Sequence, residues 1–172
     1  MPTSSVAEAV ATLAAGGKVL VIDDEDRENE GDLITAAEHA TTDEVALSPG
    51  HTSGFLCVSL DERRAREPEL DLMVTADAES HGTAFLVSVD LRHGTSTGIS
   101  AGDRAATIRA LADPGPAPSD LARPGHGCRC APGPAGCWNA PGTPRPASTC
   151  AARPGSAARR CCARSSPRTG AR

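Results

Sequence analysis

Residues 18–37 read KVLVIDDEDRENEGDLITAA, and the change of character within this stretch decides the fold. The run at 18–22 is short, apolar and rich in β-branched residues, which predicts a buried strand. It delivers the chain into 23–32, where seven of ten side chains are carboxylates. Residues 33–37 supply a second strand. Upstream, Ser5 and Glu8 have capping-box spacing ahead of an Ala-rich helix that Gly16 and Gly17 end. Downstream, Thr42 caps a helix beginning at Asp43 and Glu44, and Pro49-Gly50 stops it early. Residues 55–60 (FLCVSL) and 85–89 (FLVSV) are the next strands, joined by a polar, partly helical segment. Ser100 and Asp103 repeat the capping-box spacing before a helix over 105–112, which puts Ile108, Leu111 and Ala112 on one face. A Pro/Gly-rich connector follows at 113–118. The pattern predicts an α/β (α+β) fold: a single mixed-sheet domain flanked by helices.

The 172 residues suit one such domain. The net charge of −5 gives no general attraction to nucleic acid, and no run approaches the ~18–20 apolar residues of a membrane span. The N-terminus lacks the positively charged start of a signal peptide, so a cytoplasmic location is expected.

These averages conceal a break after His126. Residues 127–172 contain no Asp, Glu, Lys, Val, Ile, Leu, Met or Phe, yet hold six of the seven cysteines and eight arginines. Residues 1–126 are left with nine basic against 22 acidic side chains, a balance of −13. The division expected is a domain over 1–126, incomplete at its C-terminal elements, and a disordered Arg/Pro/Cys-rich tail over 127–172. The tail cysteines lack paired CxxC spacing and a histidine partner, which argues against a zinc site. A disulfide scaffold would need an oxidising compartment. The arginines have no lysine or interleaved aromatics to build a nucleic-acid surface.

An out-of-phase reading frame accounts for this composition. In a GC-rich gene, shifting the frame turns common Leu codons into Cys codons and acidic codons into those for Arg, Ala, Pro or Thr. Residues 137–145 can be recoded as L-E-R-P-G-H-T-E followed by A, and residues 160–165 as L-L-R-E-I-V.

The acidic stretch is where chemistry is expected. Crowded carboxylates repel unless a cation or the hydroxyls of a phosphosugar organise them. Mg²⁺ takes one or two carboxylates together with waters and substrate oxygens. Arg27 offers a planar fork for phosphate or carboxylate. Charge alone leaves open a non-catalytic acidic module that holds a divalent cation or a basic partner.

The strings DDEDRENEGDL (23–33), HTSGFLCVSL (51–60), SHGTAFLVSVD (80–90), GTSTGISAGDRAATIRALAD (94–113) and RPGH (123–126) together resemble 3,4-dihydroxy-2-butanone 4-phosphate synthase. The likeness covers about residues 5–126. It implies conversion of ribulose 5-phosphate to L-3,4-dihydroxy-2-butanone 4-phosphate and formate, with Mg²⁺ (or Mn²⁺) and no redox cofactor. By the same resemblance Arg27 and Glu28 contact substrate, and Glu28 also ligates the metal. Asp32 binds the sugar hydroxyls and takes part in proton transfer. His126 is the catalytic histidine of RPGH, and Cys57, Thr95 and Thr97 line the site. His51 and His81 are structural or supporting. A homodimer with shared active sites is implied. The recoded R-P-G-H-T-E-A and L-R-E-I-V resemble the family's next two motifs, which would supply a second metal-binding histidine and an essential glutamate. The chain as translated lacks both, so weak activity is expected.

Overall fold

In a computed structural model the residues described are 4–22, 31–60, 70–74, 85–130 and 160–165. The first helix, α1 (Val6–Ala14), opens on a complete capping box: Ser5 Oγ accepts from Glu8 N, and the Glu8 carboxylate accepts from Ser5 N at 2.8 Å. Gly16, at φ +79°, turns the chain into β1 (Lys18–Ile22). Then come β2 (Gly31–Ala36), a 3₁₀ turn (Ala37–His39) and α2 (Thr42–His51). Strands β3 (Phe55–Ser59) and β4 (Phe85–Leu91) precede α3 (Ala101–Ala112). A second 3₁₀ turn (Pro118–Asp120) leads into β5 (Leu121–Cys130), and β6 spans Arg160–Ser165.

The strands form one mixed sheet in the order β1-β2-β6-β3-β5-β4. Among the described residues only the β3–β5 pairing is parallel. Helices α2 and α3 pack on one face. Val45, Ile108, Leu111 and Ala112 meet Val58, Leu86, Val89 and Leu121 there in a continuous buried cluster. Each large aliphatic side chain buried in it contributes on the order of 1.5–3 kcal/mol. Helix α1 packs against β1 and β2, and Leu13, Ile34 and Ala36 are buried outside the main cluster. Among the described residues no helix is long and apolar enough to cross a membrane.

Three expectations need correction. The strand at 18–22 is present but not buried: it is the sheet's edge, and alternate residues from Lys18 to Ile22 are exposed. Thr41, not Thr42, caps α2, in a full capping box with Glu44. That helix runs through Pro49, because only its last turn remains. There Thr52 closes the end, donating from its N and its Oγ1 to Ser48 O at 2.9 and 2.7 Å.

Two segments of the tail fall within the described residues. Strand β5 continues past His126 to Cys130, and residues 160–165 form a strand in the interior of the sheet. Ladder hydrogen bonds use backbone groups that every residue except proline carries, and β2 and β3 offer two edges 160–165 can bridge. The rest of the tail lies outside the described residues.

Candidate active site

Strand register relates two of the expected site residues, Asp32 and Cys57. Asp32 is the second residue of β2, so the acidic stretch 23–30 enters the sheet directly beside it. That stretch, with Arg27 and Glu28, lies outside the described residues, as does His81. Across the ladder Asp32 pairs with Arg164, and Arg164 pairs with Phe55 at the start of β3. Cys57, two residues further on, shares the Phe55 face; it is half-buried and present as a thiol. Its parallel partner is Cys128, and His126 lies two residues before Cys128 on β5. By alternation Asp32 and Cys57 occupy the face opposite α2 and α3, whereas the His126 ring meets Asp90, which lines a narrow cavity with Thr107, Ile108 and Leu111 of α3.

His126 is the most defined of these groups. Its backbone N–H donates to Asp90 Oδ1 at 2.9 Å, and its Nδ1 lies 2.7 Å from Asp90 Oδ2. An ionised carboxylate only accepts, so the proton sits on Nδ1 and Nε2 is left as the basic nitrogen. The Asp90 side chain is 10% exposed and the His126 side chain 43% exposed. The partner is held inside while the ring faces outward.

Two glycines make this geometry possible. A Cβ on Gly125 would lie 2.0 Å from the Val89 carbonyl carbon, so the approach of β5 to β4 excludes any side chain there. A Cβ on Gly98 would lie 2.1 Å from Asp90 Oδ2, and Gly98 sits at φ +84°.

The turn over Asp90 is organised by Asp103 in the first turn of α3. Its carboxylate accepts from Ser96 Oγ at 2.7 Å, from Ser96 N at 3.2 Å and from Gly98 N at 3.1 Å. These bonds, that from the Ser96 hydroxyl foremost, hold the Asp103 carboxyl below its ordinary range. Asp103 therefore does not complete the expected capping box. Ser100 caps its N–H at 3.0 Å, while the carboxylate is spent on the turn. Thr107 links helix to strand, donating to Asp103 O and accepting from Leu91 N, each at 3.0 Å. Thr95 Oγ1 donates to Leu91 O, a turn-closing role, and Thr97 is exposed on the same turn. Arg104 and Gly127 line a narrow cavity with Asp90.

His51 stands apart. Its Nδ1 lies 3.0 Å from Leu47 O at the end of α2, and it lines a cavity of about 230 Å³ on the helix-covered face with Lys18, Glu44 and Leu56. That is a structural position. The sequence reading missed Asp90, although a carboxylate closing the apolar run FLVSVD was a usable signal.

Among the described residues no group of three or more His, Cys, Asp or Glu is placed to hold a metal ion. The side-chain oxygen donors in 23–32 are seven carboxylates and the Asn29 amide, with no thiol or imidazole. This oxygen set suits a hard divalent cation.

The family model for 3,4-dihydroxy-2-butanone 4-phosphate synthase matches residues 7–139. Riboflavin biosynthesis protein RibBA of Rhodococcus jostii is 55% identical over 122 residues, and that of Mycobacterium tuberculosis (strain H37Rv) is 56% identical. Each alignment covers 71% of this chain but 29% of the relative, so the chain spans under a third of these relatives' length. A crystal structure of 3,4-dihydroxy-2-butanone 4-phosphate synthase in complex with two magnesium ions superposes with a TM-score of 0.85 at 35% identity, covering 94% of this chain and 76% of that one. The Candida albicans synthase gives 0.69 at 43% identity, covering 76% and 64%. The chain belongs to the 3,4-dihydroxy-2-butanone 4-phosphate synthase family.

Proposed function

We propose that this chain converts D-ribulose 5-phosphate to L-3,4-dihydroxy-2-butanone 4-phosphate and formate, at a rate well below that of a complete enzyme. The observation that carries the reading is the Asp90–His126 pair. The reaction needs proton removal next to a carbonyl, a skeletal rearrangement and hydrolytic release of C4. His126 Nε2, left basic by the bond at Nδ1, takes and returns a proton at the sugar carbons. Asp32 binds hydroxyls and shuttles a second proton. Arg27 receives the phosphosugar. Glu28 would hold Mg²⁺ or Mn²⁺, and a bound cation supplies Lewis-acid stabilisation of enediolate charge. Cys57, Thr95 and Thr97 shape the wall of the site.

The reduced rate follows from the translated tail, which offers no histidine and no acid after residue 126. A single carboxylate ligand binds Mg²⁺ weakly. Location in the cytoplasm and pairing with a second copy belong to the same reading. Leu20 and Ile22 on edge strand β1 are 57% and 64% exposed, an apolar surface that pairing would cover.

Formate release from ribulose 5-phosphate by the purified full chain with Mg²⁺ tests the proposal. Expected are calorimetric binding of the sugar phosphate, and turnover below the ~1 s⁻¹ at the slow end of common enzymes. Both should be lost in His126→Ala with Asp32→Asn. Absence of both binding and formate from the unaltered chain would overturn it.

A further inference from the structure

The Asp90–His126 pair has a charged neighbour that the proposed reaction leaves unused. Arg104 follows Asp103 in α3 and lies three positions before Thr107, so the two share one helix face. With Asp90 and Gly127 they line a narrow cavity of about 10 Å³. Among the described residues Arg104 Nε is buried with no hydrogen-bond partner, and no ion pair reaches its guanidinium. An orphaned buried donor is costly, and a guanidinium does not relieve the cost by losing its proton.

The other walls of the cavity have acceptor capacity to spare. Asp90 Oδ1 and Oδ2 each face one nitrogen of His126, at 2.9 and 2.7 Å, and each carboxylate oxygen has a second acceptor position. Thr107 Oγ1 donates to Asp103 O and accepts from Leu91 N, which leaves it one lone pair and no proton to give. A space of this volume holds one water, and a buried water makes about three hydrogen bonds. The three groups are of the kinds one water needs: a donor for it to accept from, and two acceptors for its hydrogens.

We propose that Arg104 is a positioning residue for the reaction proposed above: its Nε–H holds one buried water, and that water holds the Asp90 carboxylate in the orientation that keeps the His126 proton on Nδ1. Asp90 is then gripped from two sides, by His126 and by the water. Its carboxylate cannot turn about the Cβ–Cγ bond without breaking both contacts. Arg104 acts on the base only through Asp90. The rate effect rests on the proposed function; the effect on the His126 ring does not.

Two substitutions in the full chain separate the Nε donor from charge and packing. Arg104→Gln puts an uncharged amide N–H at the side-chain position of Nε, and Arg104→Met puts a methyl there. Arg104→Met should lower kcat for formate release on the order of tenfold, part of the ~10²–10⁴ a general base contributes. Its KM should stay within about twofold, and its His126 ring ¹⁵N shifts should move toward those of mixed tautomers. Arg104→Gln should keep the ring shifts, and the rate to within about threefold. In the unaltered chain the Arg104 Nε–H resonance, assigned by its loss in Arg104→Gln, should show cross-relaxation to a long-lived water. That measurement decides the matter even where Arg104→Met does not fold. Unmoved ring shifts in Arg104→Met, equal losses in the two variants, or an Nε–H without a water signal would each overturn the assignment. No formate from any of the three chains, with ring shifts moving in Arg104→Met alone, would end the proposed function and leave Arg104 as the positioning residue.

Discussion

Replacing Asp90 with asparagine separates the orientation of His126 from its presence. The new side chain has the same shape and can keep one carboxamide oxygen against the His126 backbone N–H, now 2.9 Å from Oδ1. The atom facing Nδ1, now an acceptor at 2.7 Å, becomes an NH₂ donor. The imidazole must then shift its proton to Nε2 so that Nδ1 can accept, and Nε2 ceases to be a base. A hydrogen bond to a charged group contributes about 1.5–3 kcal/mol and a neutral one about 0.5–1.5. The substitution should therefore cost on the order of 1 kcal/mol of stability. The catalytic cost is larger, because a correctly protonated general base accounts for about 10²–10⁴ in rate. Formate release should fall by that range, and ¹⁵N shifts of the His126 ring should report the proton moving from Nδ1 to Nε2. An unchanged tautomer with an unchanged rate would refute the positioning role of Asp90.

Three further outcomes follow from single features. Among the described residues Thr35 Oγ1 is buried without a hydrogen-bond partner, so Thr35→Val should raise stability by about 1–2 kcal/mol in urea unfolding; a loss would show that the hydroxyl is satisfied. Asp103 has its carboxyl below the ordinary 3.8. Its contribution is thus complete above that value and lost as pH falls through the lower folded value. Asp103→Asn should remove that part of the acid sensitivity, and identical acid-unfolding curves between pH 2 and 5 would contradict this. Sequencing the gene across codons 120–140 should reveal a frame change just after the His126 codon, and an uninterrupted frame with no possible indel would end that reading.

What the sequence reveals here is mostly what its residues decide locally. The strand at 18–22 matches β1 residue for residue, and Ser5 with Glu8 forms the capping box its spacing implies. Ile108, Leu111 and Ala112 are buried together, as their helical spacing requires. The readings that needed correction turn on partners distant in the chain. Whether KVLVI lies inside a sheet or at its edge depends on strand order, which five residues do not contain. Pro49 forbids continuation of a long helix, but here it loses only one bond in a terminal turn that Thr52 closes. Asp90 and Asp103 are both carboxylates next to regular elements. One becomes the partner of a histidine 36 residues away and the other the anchor of a serine turn, and nothing in their immediate neighbours distinguishes these fates. The tail carries the same lesson to its limit. Side-chain composition gives 160–165 no reason to enter a core, yet β2 and β3 present backbone edges on both sides of it. A strand held chiefly by its ladder should be the least protected of the six, so its amides should exchange hydrogen faster than those of β4 and β5.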